Sequence, residues 1–341
     1  MQPRLPTDHP SWDAKKMNPF AREFFFHSGN DPHEILFWSR FMITILSMIL
    51  AFYVFKWSKE LYGVNAAILA LFLYVFNVQI LGNSNRVLLE LTLSLFMFLS
   101  TYYLWRFVHK PTFKNLLLTG IMSGFALASK HPAVLIVPIF IILLIISTYT
   151  KKLKYRLAMS SFFTILIIAF FVLYLTYGMR IEPITVGARE LGMLDRMLGD
   201  NNLKATLVQL VGYISNVPIP LAHYIKSMGF QLIHSMTGHG RFFLLGNYST
   251  DGWWYYYIVA LIFKLQIPLI ILLILTVFFY RKIRHSEPIN EAFLFVPMIF
   301  YFLYFSFFVK INIGIGYILP IFPFLFVFVS KIANLKPANI R

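Results

Sequence analysis

The sequence predicts an all-α polytopic membrane protein, a bundle of about nine transmembrane helices with an extracytoplasmic loop region. Three observations lead there. Hydrophobic residues make up 58% of the 341 and charged residues only 13%, with a mean hydropathy of +0.69, a balance foreign to soluble domains. The apolar residues fall into nine runs, most of them close to the roughly 17–25 residues that cross about 30 Å of hydrocarbon. Between the runs, Lys and Arg alternate between heavily and lightly charged loops.

In chain order, residues 1–34 contain no apolar core of the signal-peptide kind, so they read as an extracytoplasmic segment and export relies on the first span. A six-helix membrane region follows over 35–178, with spans at 35–55, 64–82, 87–107, 113–129, 131–149 and 157–178. The second and fourth of these are short. Residues 179–255 hold most of the polar sequence and form a long loop; 256–331 supply three more spans, at 256–280, 291–309 and 313–331, and 332–341 form a tail. No internal repeat or low-complexity tract divides the chain.

Charge gives the expected orientation. If the N-terminus lies outside, 15 cations fall in inside loops: Lys56, Lys59, Arg106, Lys110, Lys114, Lys151, Lys152, Lys154, Arg156, Arg281, Lys282, Arg284, Lys331, Lys336 and Arg341. Only three, Arg86, Lys130 and Lys310, lie in the short loops opposite, as the positive-inside rule requires. The long loop is then extracytoplasmic, the tail cytoplasmic, and the expected location a plasma or inner membrane. The net charge of +16 is thus a topology signal; it lacks the exposed basic face with interleaved aromatics that would read nucleic acid. Eleven of the fourteen acids fall on the outer side. With no cysteine there is neither a disulfide framework nor a Cys-ligated metal, and His223, His234 and His239 lack metal-helix spacing, so no metal and no cofactor is expected.

Glu90 is the sharpest candidate for chemistry. It stands where a polar linker becomes an apolar helix, and an ionised carboxylate near lipid depth costs several kcal/mol unless it is paired or faces water. It reads either as half of a structural i,i+4 pair with Arg86 or as a catalytic or ligand-contacting acid. Lys130 and Lys310 each read alone as lysines snorkelling from a helix end; with Arg86 they make three cations on one sparse face, which suits a shared anionic ligand such as a phosphate. Asp8 and His9, in Asp8-His9-Pro10, form a weak motif that any surface loop could hold. Trp253, Trp254 and Tyr255 sit where the long loop re-enters the membrane, as an interfacial belt or as a platform for sugar or lipid.

These segments together resemble a family. Arg86-Val-Leu-Leu-Glu-Leu-Thr-Leu-Ser-Leu-Phe96, Tyr102-Tyr-Leu-Trp-Arg106 and Gly120-Ile-Met-Ser-Gly-Phe-Ala-Leu-Ala-Ser-Lys130 are similar to the polyprenyl-phosphate-dependent membrane glycosyltransferases of the GT-C fold, and within them to the protein O-mannosyltransferase and aminoarabinose transferase relatives. Thr7-Asp8-His9-Pro10, Lys59-Glu60-Leu61-Tyr62-Gly63, Gly252-Trp-Trp-Tyr-Tyr256 and Asn312-Ile-Gly-Ile-Gly-Tyr-Ile-Leu-Pro320 extend the likeness over nearly the whole chain. The resemblance implies a GT-C-like bundle and a polyprenyl-phosphate-linked sugar donor held at the outer face. It also implies a protein or glycolipid acceptor, and transfer to its hydroxyl with inversion. By the same resemblance Glu90 and Asp8 fall at the family's acidic positions and are the expected catalytic acids, and Arg86 and Lys130 match positions consistent with phosphate contact; Lys310, His9, Trp253, Trp254 and Tyr255 are the further substrate-binding candidates.

Relative to that family, the chain starts beyond a usual first helix and an outer loop bearing an acidic pair, so residues 1–34 read as the remainder of that loop. Two competing readings follow. One is a truncated or catalytically impaired homologue that binds lipid-linked sugar. The other is a lipid or solute transporter, which predicts paired broken helices and ionisable residues near the bilayer midplane.

Overall fold

The computed structural model describes residues 3–14, 16–185, 217–237, 240–283 and 287–335. The middle of the long loop, the Gly238-His239 pair and the cations Arg284, Lys336 and Arg341 lie outside them. Two short helices, α1 (Pro10–Asp13) and α2 (Met17–Phe26), precede the first long one, α3 (Pro32–Tyr62). Then come α4 (Val64–Val75), α5 (Val78–Ser84), α6 (Leu89–His109), α7 (Phe113–Ser129), α8 (Ile136–Tyr149, entered through a 3-10 turn at His131–Leu135) and α9 (Tyr155–Thr176). The loop contributes an antiparallel pair, β1 (Ile181–Pro183) with β2 (Pro218–Pro220), the helix α10 (Ala222–Thr237), and a hairpin of β3 (Phe242–Leu244) and β4 (Asn247–Ser249). The chain closes with α11 (Tyr256–Lys264), α12 (Ile267–Phe278), α13 (Pro288–Phe307) and α14 (Ile321–Ser330).

Among the described residues, five helical stretches are long and apolar enough to cross a membrane: Pro32–Tyr62, Leu89–His109, His131–Tyr149, Tyr155–Thr176 and Pro288–Phe307. Two more expected spans are bent pairs, α4 with α5 at 61° and α11 with α12 at 112°. Counting each pair as one span gives up to seven, a multi-pass membrane protein. The 113–129 segment is a 17-residue helix, shorter than a full crossing. The expected span at 313–331 is corrected: its first part is irregular backbone and a 3-10 turn at Ile315–Ile318, and α-helix begins only at Ile321. The two glycines of Asn312-Ile-Gly-Ile-Gly and the following Pro320 are poor helix formers, which explains the late start.

Helix α6 is the axis of the bundle: 72% of its apolar window is buried, against 17% for α3. Its buried hydroxyls are satisfied locally, Ser100 and Thr101 both donating to the Met97 carbonyl at 2.9 Å, so an apolar surround imposes no orphaned polar group. Lipid is as apolar as leucine, so close packing rather than water exclusion holds such helices together. Gly120 and Gly124 provide it on α7: a Cβ at either would lie 2.6 Å from the Cβ of Ile168 or Val172 on α9. The two helix breaks also support each other. Pro268 begins α12, Gln266 donates to the Phe76 carbonyl released at the end of α4 (2.6 Å), and Asn77 donates to Gln266 (3.3 Å) while capping α5.

At the end of the bundle remote from Glu90, Lys331 is fully buried and donates to Glu291 at 2.7 Å, with the Tyr280 hydroxyl on the other carboxylate oxygen. Lys331 is therefore no solvated loop cation: it ties the end of α14 to α13. The tyrosine ring under its ammonium, 3.7 Å to the centroid, adds a second source of compensation for burial.

Candidate functional site

Helices α6 and α7 are joined by the tight turn at Lys110–Thr112 and pack antiparallel, so the start of one lies beside the end of the other. That brings Glu90, in the first turn of α6, to Lys130, the C-cap of α7. The ammonium donates to the Glu90 carboxylate at 2.8 Å, with 23% and 18% of the two side chains exposed. A carboxylate at a helix N-terminus and a cation at a C-terminus are each favoured by the helix dipole, by about 0.3–1 kcal/mol. Arg86, the alternative partner one turn earlier, stays exposed in the α5–α6 linker and does not pair with Glu90. The local-pair reading of Glu90 and Arg86 is thus replaced by a tertiary pair 40 residues apart in sequence.

Two residues of the 3-10 turn complete the surroundings. The Lys130 ammonium lies 4.8 Å from the Tyr317 ring centroid, and Gly316 faces Glu90, whose Cγ is 3.9 Å from where a Cβ would stand. Beside the pair opens a cavity of about 420 Å³ lined by Leu89, Lys130, His131, Met228, Leu232, Tyr304, Phe305 and Tyr317, among others. Its walls are mostly apolar, with Lys130 as their strongest charge. Helix α10 roofs it. Leu221 and Tyr224 pack with Leu173 against Leu127 and Tyr177, and the His131 ring meets Ser227 at 2.8 Å. Burial of Tyr224 pushes its phenol up to about 12.

The re-entry point of the loop forms the rim. Lys310 donates to Asp251 at 2.8 Å, which holds that exposed carboxyl below its ordinary range. The Lys310 amide donates to the Ser235 carbonyl of α10 at 3.0 Å, and Ser235 itself lines the cavity. Asn312 accepts from the Trp253 amide at 2.7 Å. Gly252 makes this approach possible: it has φ +69°, and a Cβ there would stand 2.6 Å from the Lys310 carbonyl oxygen. Trp253 packs on the core, Trp254 is 57% exposed and stacks on Phe307 at 5.8 Å, and Tyr255 stands edge-on to Trp254.

The structure therefore brings Glu90 and Lys130 together and places Lys310 and the aromatic run at the rim of the same cavity. Asp8 and His9 stand apart. His9 caps α1 through Ser11, Asp8 is exposed, and among the described residues no hydrogen bond or ion pair joins either to Glu90. Sequence reasoning missed Tyr317, His131 and Asp251 as individual participants. Tyr317 lies inside a segment that carried the family resemblance and His131 directly follows another, whereas the α10 wall, Met228 and Leu232, has no local signal at all. Among the described residues no group of three His, Asp or Glu is placed to hold a metal.

Fold and site together describe a multi-pass membrane protein, and the comparisons with known proteins show what it is similar to. Residues 34–175, which include both Glu90 and Lys130, match the family model described as dolichyl-phosphate-mannose-protein mannosyltransferase. Among solved structures the chain is similar to ArnT from Cupriavidus metallidurans bound to undecaprenyl phosphate, with a TM-score of 0.50 and 13% identity over 89% of this chain and 47% of that one. The chain thus spans about half the length of that structure, and the likeness is one of fold. No curated protein matches.

Proposed function

We propose that this protein transfers a sugar from a polyprenyl-phosphate carrier to an acceptor hydroxyl at the membrane face that bears the long loop. The observation that carries the reading is the Glu90–Lys130 pair at the charged end of an apolar cavity. A lipid phosphate needs such a place: walls for the prenyl chain and a cation for the head. The ammonium has three donors; one is engaged by Glu90, leaving donors for a phosphate oxygen. The acceptor oxygen attacks the anomeric carbon, the carbon–oxygen bond to phosphate breaks, and the electron pair leaves on the phosphate, where Lys130 stabilises it. Glu90 takes the proton of the acceptor hydroxyl, and attack from the face opposite the leaving group inverts the anomeric carbon. Glu90 is preferred to Asp8 as base because it touches the phosphate-binding cation. Trp254 and Tyr255 at the rim suit stacking of a sugar or acceptor, and the outer leaflet of a plasma or inner membrane is the proposed setting. The reaction as drawn uses no metal.

The test is transfer from a synthetic polyprenyl-phosphate sugar by the protein in lipid nanodiscs. Glu90→Gln and Lys130→Ala are each expected to lower kcat about 100- to 1,000-fold, the loss typical of one transition-state contact. Wild-type turnover in both variants would reject the assignment. Donor binding without turnover in the wild type would instead favour the reading as a non-catalytic homologue. Transport is a second reading with one observation behind it, since two broken helices meet at their breaks; uptake of donor into sealed proteoliposomes in the absence of acceptor would support it.

A further inference from the structure

A second charged concavity lies at the other end of the bundle. From Glu90 to Arg106 is 16 residues of one helix, about 24 Å at 1.5 Å per residue, so this place is separate from the cavity beside Glu90. It is a hollow of about 300 Å³ between α3, α6 and α7, and its walls carry Lys56, Arg106, Lys110 and Lys114 with the rings of Tyr102 and Tyr103. The convergence is built. Helix α6 ends at Lys110, whose carbonyl accepts from the Thr112 amide at 2.8 Å and from Asn115 Nδ2 at 2.9 Å. That tight turn sets Arg106 and Lys110 on one side and Lys114 on the other. Lys56 enters from α3, its ammonium 5.3 Å from the Tyr53 ring centroid and 5.8 Å from that of Tyr102.

Of the four cations of the hollow, only Arg106 has a carboxylate partner. Glu60 accepts from Arg106 at 2.9 Å and from the Tyr102 hydroxyl at 3.0 Å. Among the described residues no carboxylate pairs with Lys56, Lys110 or Lys114. Loop cations that serve only topology spread into water, whereas these face one space. An apolar stripe leads away from it: Met48, Ile49 and Phe52, at helical spacing before Lys56 on the little-buried α3, are 67%, 38% and 57% exposed.

We propose that this hollow binds the phosphate head group of an anionic glycerophospholipid, with the acyl chains lying along Met48, Ile49 and Phe52. The arginine and lysines supply charge and donors for phosphate oxygens, and the stripe gives the chains a face that a free anion would not use. The inference stands independently of sugar transfer. If the positive face is cytoplasmic, as the charge distribution predicts, it faces the leaflet in which anionic lipids are concentrated.

The test is native mass spectrometry of the full-length protein in detergent, titrated with dioleoylphosphatidylglycerol or dioleoylphosphatidylcholine. The wild type is expected to retain the anionic lipid preferentially. Each lysine-to-alanine change at 56, 110 or 114 should weaken it about fivefold, and the triple change about 100-fold, at the energy assigned to one basic residue near an anionic surface. The triple arginine variant should bind like wild type, which ties any loss to charge. Because a Lys56 change could disturb packing, a Lys110→Glu/Lys114→Glu variant at two exposed positions provides a second reading, with an expected loss of at least tenfold, about two lysines' worth. Equal retention of both lipids by the wild type, or unchanged retention by these variants, overturns the proposal. So does displacement of the lipid by millimolar inorganic phosphate, which would mark a simple anion site.

Discussion

Glu90, Asp251 and Glu291 show three ways in which one chain stabilises a carboxylate next to a bilayer. Glu291 is sealed with Lys331 and a tyrosine hydroxyl, Glu90 shares a half-open pair with Lys130, and Asp251 meets Lys310 in the open. The second joins a half-buried cation that lines the cavity to an acid beside it, and that distinguishes a site from a strut. The Asp251 pair makes a pH prediction. Its carboxyl is lowered chiefly by the hydrogen bond from Lys310; a lowered carboxyl contributes stability above its ordinary pKa, and that contribution is lost as pH falls through the folded value. The loop anchor should therefore hold from neutral pH down to the ordinary carboxyl range and fail below it. Fluorescence of Trp254 and its neighbours should stay flat over the upper range and change only at the acid end, with Asp251→Asn abolishing the acid step; a transition centred near neutrality would contradict this. At this scale the sequence singled out Glu90 and Lys130 individually and gave Glu90 the wrong structural partner. Arg86 is the nearest cation along the chain, whereas Lys130 becomes the neighbour only when α6 and α7 fold back on each other.

Among the elements, the α7–α9 contact is the least forgiving. A side chain at Gly124 would meet Val172 and stand 2.9 Å from the Ala169 carbonyl oxygen, a backbone atom that cannot swing aside. Gly124→Val should cost about 1–3 kcal/mol by overpacking, read as a lowered melting temperature in detergent. Gly82→Ala, where a Cβ would meet nothing within 4 Å, should leave it unchanged. Equal effects would show that close helix approach is not what Gly124 provides. The bent pairs were invisible as bends: 64–82 and 256–280 each read as one apolar run. Asn77 and Gln266 inside them are the clue, because a polar amide in an apolar run has to find a partner, and here the partner is the other break.

For the whole molecule, orientation is the open consequence of the charge pattern, and the absence of cysteine makes it simple to measure. A single cysteine in place of Ser249 on the loop hairpin should react with an impermeant maleimide on intact cells. One in place of Lys152, which pairs with Glu287 between spans, should react only after permeabilisation. The reverse pattern would invert the proposed orientation and move the transfer site to the cytoplasmic face.

The sequence by itself determined the solvent, the approximate placing of the spans, the separation of heavy and light charge and the family likeness. Each of these depends on local hydrophobicity or on short runs of residue types, which a linear chain states directly. Only the tertiary structure decided that Lys130 rather than Arg86 meets Glu90, that Tyr317 and α10 enclose the cavity, and that Lys331 is buried while Lys56 and Lys114 converge. Those facts depend on which helix ends become neighbours. Helix length, the tight turn at Lys110–Thr112 and the close packing at Gly120 and Gly124 settle that together, across separations that no sequence window spans.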